Sequence, residues 1–221
     1  STIEPIKGFR LNITANRNYS NNFTEYFKDT TGFGEIVSLS PINSGGFSIS
    51  FFSLRTMFKN YGDNYESETF NQFLNNRFIV ADRLAIEHLG AGVIYNDTTG
   101  FPDGYGSNSQ EVLITSFLSA YSGKDPSNYT LKKFPKMPAP NWDLTYDGLI
   151  RIKWFKDRFR SITFAHAYRS TYNMSSFNSN LSFVDNGSGV SDLLDVSGNF
   201  IPELLITSIN ISYIKPTRCK F

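Results

Sequence analysis

Two histidines and one cysteine are the side chains of this sequence with the widest use in catalysis and metal binding. His88 falls in an amphipathic stretch and His166 in an alternating one, and neither has a cysteine or carboxylate beside it at zinc-ligand spacing. Cys219 is the single cysteine, so these residues contain neither a disulfide pair nor a clustered thiolate site. Structural roles are therefore favoured for both histidines.

The common catalytic motifs are absent from the chain. There is no Gly-x-Ser-x-Gly turn, no Gly-rich phosphate loop and no His-Glu-x-x-His pair. Glu66 and Glu68 are two acids at the start of a helical pattern, where they more simply interact with the helix dipole. The loop Asn96 to Gly106 holds two aspartates, but their spacing does not match an EF-hand, so a polar loop is favoured over a calcium site. We predict a protein that is not an enzyme and has no cofactor or bound metal.

The composition is typical of a barrel wall that has one apolar face and one polar, hydrated face. Aromatic residues make up 16% of the chain, and Asn, Ser and Thr fill most stretches between them. The 21 basic and 20 acidic residues form no long run of one charge, so nucleic acid is not an expected partner. No window approaches about 18 apolar residues, which excludes a transmembrane helix but leaves membrane-spanning strands open.

Alternation of apolar and polar residues predicts strands. Between Gly8 and Arg17 the polar positions are Arg10, Asn12 and Thr14, which we expect to face a water-filled lumen. Turn residues at Asn186-Gly187 and Ser197-Gly198-Asn199 predict a short hairpin between them. Six to eight strands are expected in all. The other predicted strands are Gly46 to Phe58, Trp142 to Asp147, Ser161 to Tyr168 and Leu205 to Tyr213.

The middle of the chain has helical periodicity. A first helix is predicted from Tyr65 to Leu89, with a capping box at Asp63-Asn64-Tyr65-Glu66 and a stop at Gly90. A second is predicted from Asn108 to Tyr121, before Gly123. Three prolines then make Lys132 to Asn141 a stiff connector.

These elements predict a mainly β fold, an antiparallel transmembrane β-barrel segment with an α-helical insertion. Residues 1–60 are expected to form barrel strands, 61–130 the helical insertion, and 131–221 further barrel strands with the connector. The basic aromatic stretch from Arg151 to Arg160 is expected at a membrane interface, with Trp154 and Phe155 at the level of the headgroups.

Four blocks of the sequence carry a resemblance to a known family. They are Leu11 to Phe27, Pro140-Asn141-Trp142 through Tyr146-Asp147-Gly148, His166 to Asn173, and Gly198 to Pro202. In these blocks and their order the chain resembles the SprA/Sov family, the outer-membrane translocon of the Bacteroidetes type IX secretion system, which is also linked to gliding motility. The matching positions are Asn16, Arg17, Tyr19, Asn22, Glu25, Trp142, Tyr146, His166, Tyr168, Arg169 and Asn199.

The resemblance implies a location in the cell outer membrane and a role in protein secretion. It implies a very large single-chain barrel that exports folded cargo bearing C-terminal sorting domains. Expected partners are outer-membrane lipid, a PorV-like barrel and a plug protein. Members of that family are far longer than this chain, and the stretch Tyr213 to Phe221 departs from their next strand. We therefore expect a fragment of the barrel region.

Two other interpretations remain open at the level of sequence. One is a self-contained small outer-membrane barrel or surface adhesin, with the helices as an exposed binding element. The other is a secreted carbohydrate-binding module that uses Trp142, Trp154 and the tyrosines as stacking platforms.

Overall fold

The computed structural model describes residues 1–59, 62 and 66–214, and residues 218–220 as backbone. The described elements are nine strands and three α-helices. The strands are β1 (Thr2–Ile3), β2 (Phe9–Thr14), β3 (Arg17–Asp29), β4 (Ile36–Ser50), β5 (Asn141–Tyr146), β6 (Thr163–Ser179), β7 (Leu204–Ile206), β8 (Ile209–Ile214) and β9 (Arg218–Lys220), and the helices are α1 (Glu68–Leu89), α2 (Gln110–Ser122) and α3 (Lys153–Lys156).

The described strands form one antiparallel sheet that curls as a half-barrel. Its main order is β1-β2-β5-β6-β4-β3, and β7, β8 and β9 also pair with β6. The 17-residue strand β6 is central to the sheet, because β5 pairs with its first half and β4 with its second half. The prediction of a mainly β antiparallel fold with helices is thus confirmed.

Several strands follow one another end to end, so that the sheet consists of a few long rows. Strands β2 and β3 are separated only by Ala15 and Asn16, and they pair with β5 and β4 respectively. Strands β4 and β5 occupy one row between β2/β3 and β6, although about ninety residues separate them in sequence. At the break, the Ala139 N–H donates to the Ser50 carbonyl at 2.9 Å. The segment 51–140 is therefore an excursion out of a single row of the sheet.

Several predictions about strands were wrong. The predicted strand Ser161 to Tyr168 continues to Ser179, and the predicted strand Leu205 to Tyr213 is divided into β7 and β8. The predicted strand Gly46 to Phe58 instead begins at Ile36 and ends at Ser50, because the chain turns out of the sheet and buries Phe51 in the core. The strand Arg17–Asp29 was not predicted beyond its first residue, and it raises the described strands to nine. The expected hairpin after Asn186 contains only an isolated bridge between Leu194 and Phe200.

Both predicted helices are present with slightly different starts. Helix α1 begins at Glu68, where the Ser67 hydroxyl accepts the Phe70 N–H at 3.3 Å. Residues 63–65 of the expected capping box lie outside the described residues. Helix α2 begins after Ser109 and ends at Ser122. The next residue, Gly123, has a φ of 65°, the left-handed conformation that glycine accommodates.

The main core lies between α2 and one face of the sheet. Ile114 and Leu118 of α2 pack against side chains of β4 and β6 and against the connector after Tyr129. A second core joins α1, α2 and the loop between them. Buried sheet residues of the main core are Phe47, Ile49, Tyr172, Met174 and Phe177. The helical excursion therefore packs against the sheet through α2.

Candidate functional site: a two-faced sheet and its joint with the helices

One face of the sheet carries polar side chains that no described element covers. Arg10, Asn12 and Thr14 of β2 are all exposed, while Leu11 and Ile13 between them are half-buried on the other face. The strand register continues this pattern across the sheet, where one row aligns Asn18, Ser48, Asn173 and Asn210. The three positions predicted to face a lumen thus belong to a polar surface that extends over most rows.

A shallow depression opens on this polar face. Its volume is about 510 Å³, and its lining includes Asn18, Ser20, Ser48, Asn173 and Ser175. These side chains are amides and hydroxyls, which bind water well and carry no charge. On the same face Arg169 and Asp143 form an ion pair at 2.8 Å, so these two charges offset each other. The surface is therefore wet and weakly charged.

The opposite face is apolar and has two different environments. Beside β4 and the second half of β6 it is covered by α2 and the connector. Beside β2, β5 and the first half of β6 it carries Leu11, Trp142 and Leu144, all half-buried. Trp142 stacks on Tyr168, with ring centroids 4.4 Å apart, and its indole N–H donates to His166 Nδ1 at 3.2 Å. His166 therefore has a structural partner in the sheet.

Tyr168 connects the sheet to the first residues of the excursion. Its side chain is fully buried, and its hydroxyl donates to the Phe51 carbonyl at 3.1 Å and accepts the Ser53 N–H at 2.8 Å. The Ser53 hydroxyl also bonds to Ser170 at 2.8 Å. Because a backbone that leaves a sheet loses its ladder partners, these side chains supply the missing hydrogen bonds.

The return of the chain is held by a second set of contacts. The Asn141 amide donates to the Ser50 hydroxyl at 3.1 Å and accepts the Ser170 N–H at 3.0 Å. The Asn16 N–H donates to the same Ser50 hydroxyl at 3.0 Å. Three rows of the sheet are thus linked at the point of interruption, which fixes where the excursion begins and ends.

Arg17 and Tyr19 fasten the proline-rich connector to the sheet. The Arg17 guanidinium donates to the Pro135 carbonyl at 3.2 Å and lies 5.3 Å from the Phe47 ring centre. Tyr19 packs edge-on against Phe134 at 5.4 Å. We call the contacts around Ser50, Asn141 and Tyr168, where the chain leaves the sheet and returns to it, the joint. Arg17 and Tyr19 therefore lie at the joint, as do Asn16 and Tyr168, which also belong to the family resemblance.

Asn199 and His88 hold the loop between β6 and β7 against the helices. The Asn199 amide oxygen accepts the Gly106 N–H at 2.9 Å, and its nitrogen donates to Asn108 at 3.1 Å. His88 lies 3.1 Å from both the Tyr105 hydroxyl and Asp192. Burial, with the nearby negative charges of Glu111 and Glu87, raises the pKa of Tyr105 well above its ordinary range. His88 is therefore part of a packed contact between two loops and a helix.

The remaining positions of the family resemblance have separate surroundings. Asn22 is exposed in β3 on the polar face. Glu25 lies beside an irregularity of the β3–β4 pairing and accepts a hydrogen bond from Ser38. Tyr146 packs against Phe9, with ring centroids 6.1 Å apart. The structure thus gathers only part of the motif positions at the joint.

The stretch Arg151 to Arg160 lies at the end of β5 and the start of β6, away from the core that α2 forms with the sheet. It connects β5 to β6 through a 3₁₀ turn and the short helix α3. Trp154 is 55% exposed, and the Arg158 guanidinium lies 4.5 Å from its ring centre. The predicted turn is thus a compact basic and aromatic cap on the sheet.

The described residues also contain one larger cavity beside the joint, of about 690 Å³. Its lining includes Phe51, Phe52 and Tyr129, with Arg55 and several lysines at its edge. Burial raises the pKa of Tyr129 to about 12. Within the described ranges, no group of three or more His, Cys, Asp or Glu side chains is placed to hold a metal ion. No helix in these ranges is both long and apolar enough to cross a membrane.

Sequence reasoning did not find the residues of the joint as a functional unit. Ser50, Ser53, Asn141 and Ser170 are small polar residues whose partners lie 29 to 117 positions away. Their only local signal is a polar residue in a buried stretch, which is common at turns. The link between them depends on the pairing of distant strands.

No model of a known protein family matches this chain, and no curated protein sequence matches it significantly.

Proposed function

We propose that this chain forms a section of the wall of a very large outer-membrane β-barrel that exports folded proteins in type IX secretion and gliding motility. The observation that carries the proposal is the two-faced sheet, with one polar face uncovered over most rows and one apolar face. A wide conduit for folded protein needs a wall that hydrates well and does not adhere to its cargo. Amide and hydroxyl side chains meet both needs.

The open edges of the sheet favour a wall section over a small complete barrel. Among the described strands, the 13-residue β3 pairs only with β4, and β8 pairs only with β6. A barrel that spans lipid must close, because unpaired backbone groups are costly in hydrocarbon. We therefore expect both edges to pair with further strands of a larger barrel.

The long rows fit a wall that extends beyond the bilayer. Strand β6 has 17 residues, whereas a barrel strand needs only about nine to eleven to cross. The helical excursion covers the apolar face along the second half of β6. We place lipid against the uncovered apolar face around Leu11 and Leu144, and the helices outside the membrane.

Partners follow from the same proposal. The apolar face contacts outer-membrane lipid, and the polar face contacts cargo proteins with C-terminal sorting domains. A PorV-like barrel and a plug protein associate with the complete barrel. The stacking of Trp142 on Tyr168 makes a sugar-binding platform of two free tryptophans a poorer explanation of the same residues.

Site-specific photocrosslinking in the native cells tests the proposal. A crosslinking amino acid is placed at Asn12 on the polar face or at Leu11 on the apolar face, since both lie in β2 and differ only in the face. We expect exported proteins to crosslink to position 12 and not to position 11. Cargo crosslinks at both positions, or at neither while export continues, would overturn the assignment of the polar face to a conduit.

A further inference from the structure

The end of the sheet where β5 connects to β6, away from the core with α2, carries an excess of positive charge. The stretch 151–160 contains five cations and one carboxylate, Asp157. The Arg151 guanidinium donates to the Lys7 carbonyl at 2.9 Å, which brings the N-terminal turn to the same end. Within the described residues, no ion pair links these cations to a carboxylate. The cations of this end are Lys7, Arg151, Lys153, Lys156, Arg158 and Arg160, and its carboxylates are Glu4, Asp147 and Asp157, so cations outnumber carboxylates by six to three.

Apolar side chains project from the same end into solvent. Trp154 is 55% exposed, Ile152 is 50% exposed and Ile6 is 57% exposed. Phe155 packs edge-on against Trp154 with centroids 4.8 Å apart, so the tryptophan stands on a supported base. An exposed tryptophan beside lysines and arginines suits the border of a bilayer, where the ring reaches the acyl chains and the cations reach the headgroups.

The sheet beneath this end supplies a continuous apolar surface. The register aligns Phe9, Tyr146 and Phe164, and behind them Leu11, Leu144 and His166, on the apolar face. None of these six side chains belongs to the two cores formed with the helices. The cationic end therefore borders a stretch of the described sheet in which no helix covers the apolar face.

We infer that the surface formed by the N-terminal turn and residues 151–160 binds the anionic phosphate headgroups of a bilayer. The inference rests on the proposed function, because it takes the neighbouring apolar face to lie in lipid. The cations contact the phosphates, and Trp154 with Ile152 inserts between the headgroups. The occupant is a membrane surface and not free phosphate, because isolated phosphate leaves the exposed apolar side chains in water.

Vesicle flotation of the full chain tests this binding. The chain is mixed with vesicles of phosphatidylcholine alone or with added phosphatidylglycerol, and its strand content is checked by circular dichroism. We expect the variant K153Q/K156Q/R160Q to bind the anionic vesicles at least about tenfold more weakly. W154A is expected to weaken binding to both kinds of vesicle, and added salt to weaken only the charge-dependent part.

The variant K124Q/K132Q/K136Q is the matched control. It removes the same charge from exposed lysines of the excursion, and it is expected to bind like the unchanged chain. An equal loss in this variant would mean that net charge alone drives binding. Competition by inorganic phosphate that exceeds the effect of sodium chloride at the same ionic strength would mean a free-anion site. Either result overturns the inference.

Two further outcomes separate this inference from the proposed function. Equal binding to neutral and anionic vesicles would overturn headgroup recognition while leaving the wall section intact. No binding to either kind of vesicle by a chain with its normal strand content would overturn both.

Discussion

At the scale of single residues, Tyr168 is the contact on which the start of the helical excursion depends. Its buried hydroxyl bonds to the Phe51 carbonyl and the Ser53 N–H. In Tyr168→Phe both backbone groups lose a buried partner, which we expect to lower the free energy of unfolding by about 1–3 kcal/mol. Urea titration measures the change. Tyr213→Phe removes an exposed hydroxyl from β8, and an equal loss there would contradict the role of Tyr168.

The buried phenol of Tyr129 is expected to make the free energy of unfolding decrease as the pH rises above about 10. Burial raises its pKa from 10 to about 12 in the folded chain. Below both values the phenol is neutral in the folded and unfolded states, so its contribution is fully present. Between them the unfolded chain loses the proton and the folded chain keeps it, so stability falls as pH rises.

The variant Tyr129→Phe isolates this effect. The unchanged chain should lose more unfolding free energy than the variant between about pH 9 and pH 11, by up to about 1.4 kcal/mol per pH unit. Chemical denaturation at the two pH values measures both losses. Identical slopes for the two proteins would contradict the contribution of this phenol.

At the scale of elements, α2 is the part of the excursion that binds it to the sheet. Leu118 is 1% exposed and packs in the core between α2 and the sheet. Leu118→Ala should therefore lower the free energy of unfolding by about 2–5 kcal/mol. Hydrogen exchange should become faster in α2 and in the facing residues of β4.

Ile86→Ala is the control for that substitution. Ile86 is also a helical aliphatic residue, but it is 57% exposed in α1. The expected change is within about 0.5 kcal/mol. If both alanine variants lost the same stability, the core between α2 and the sheet would not be what holds the excursion.

The elements differ in how much their local sequence reveals. The periodicity of apolar residues in α1 and the alternation in β5 are local, so those elements were predicted close to their observed bounds. Of β6 only the part up to Tyr168 was predicted, although the strand continues to Ser179. Strand β3 was missed because Asn and Tyr occur on both of its faces, which weakens the alternation. The end of β4 was missed because Phe51 and Phe52 continue its apolar pattern after the backbone has left the sheet.

At the scale of the whole molecule, the interruption of one row between β4 and β5 could not be predicted from the sequence. Nothing local in Ser50 or Asn141 shows that they meet, since their contact follows from the pairing of both strands with β6. The polar surface is different, because its alternation in β2 is local and its extension across the sheet follows from the register. The polar face of the sheet could thus be predicted from the sequence, whereas the joint could not.

The polar surface also provides a test of export by the whole molecule. Arg10, Asn12 and Thr14 are exposed, so the variant R10L/N12L/T14L should leave folding nearly unchanged. It should place an apolar patch on the proposed conduit, where partly apolar cargo adheres, because burying apolar surface is favourable by about 25 cal/mol per Å². We expect cargo at the cell surface to fall severalfold while the amount of barrel in the outer-membrane fraction stays the same.

The comparison variant R10Q/N12Q/T14S keeps the same three positions polar and should export normally. Loss of export in both variants would indicate that the exact side chains matter, as in a specific binding site, and not the wetness of the face. Normal export by the leucine variant would mean that cargo does not pass along this surface. That result would contradict the proposed conduit, because the polar face of the sheet is the observation on which the conduit rests.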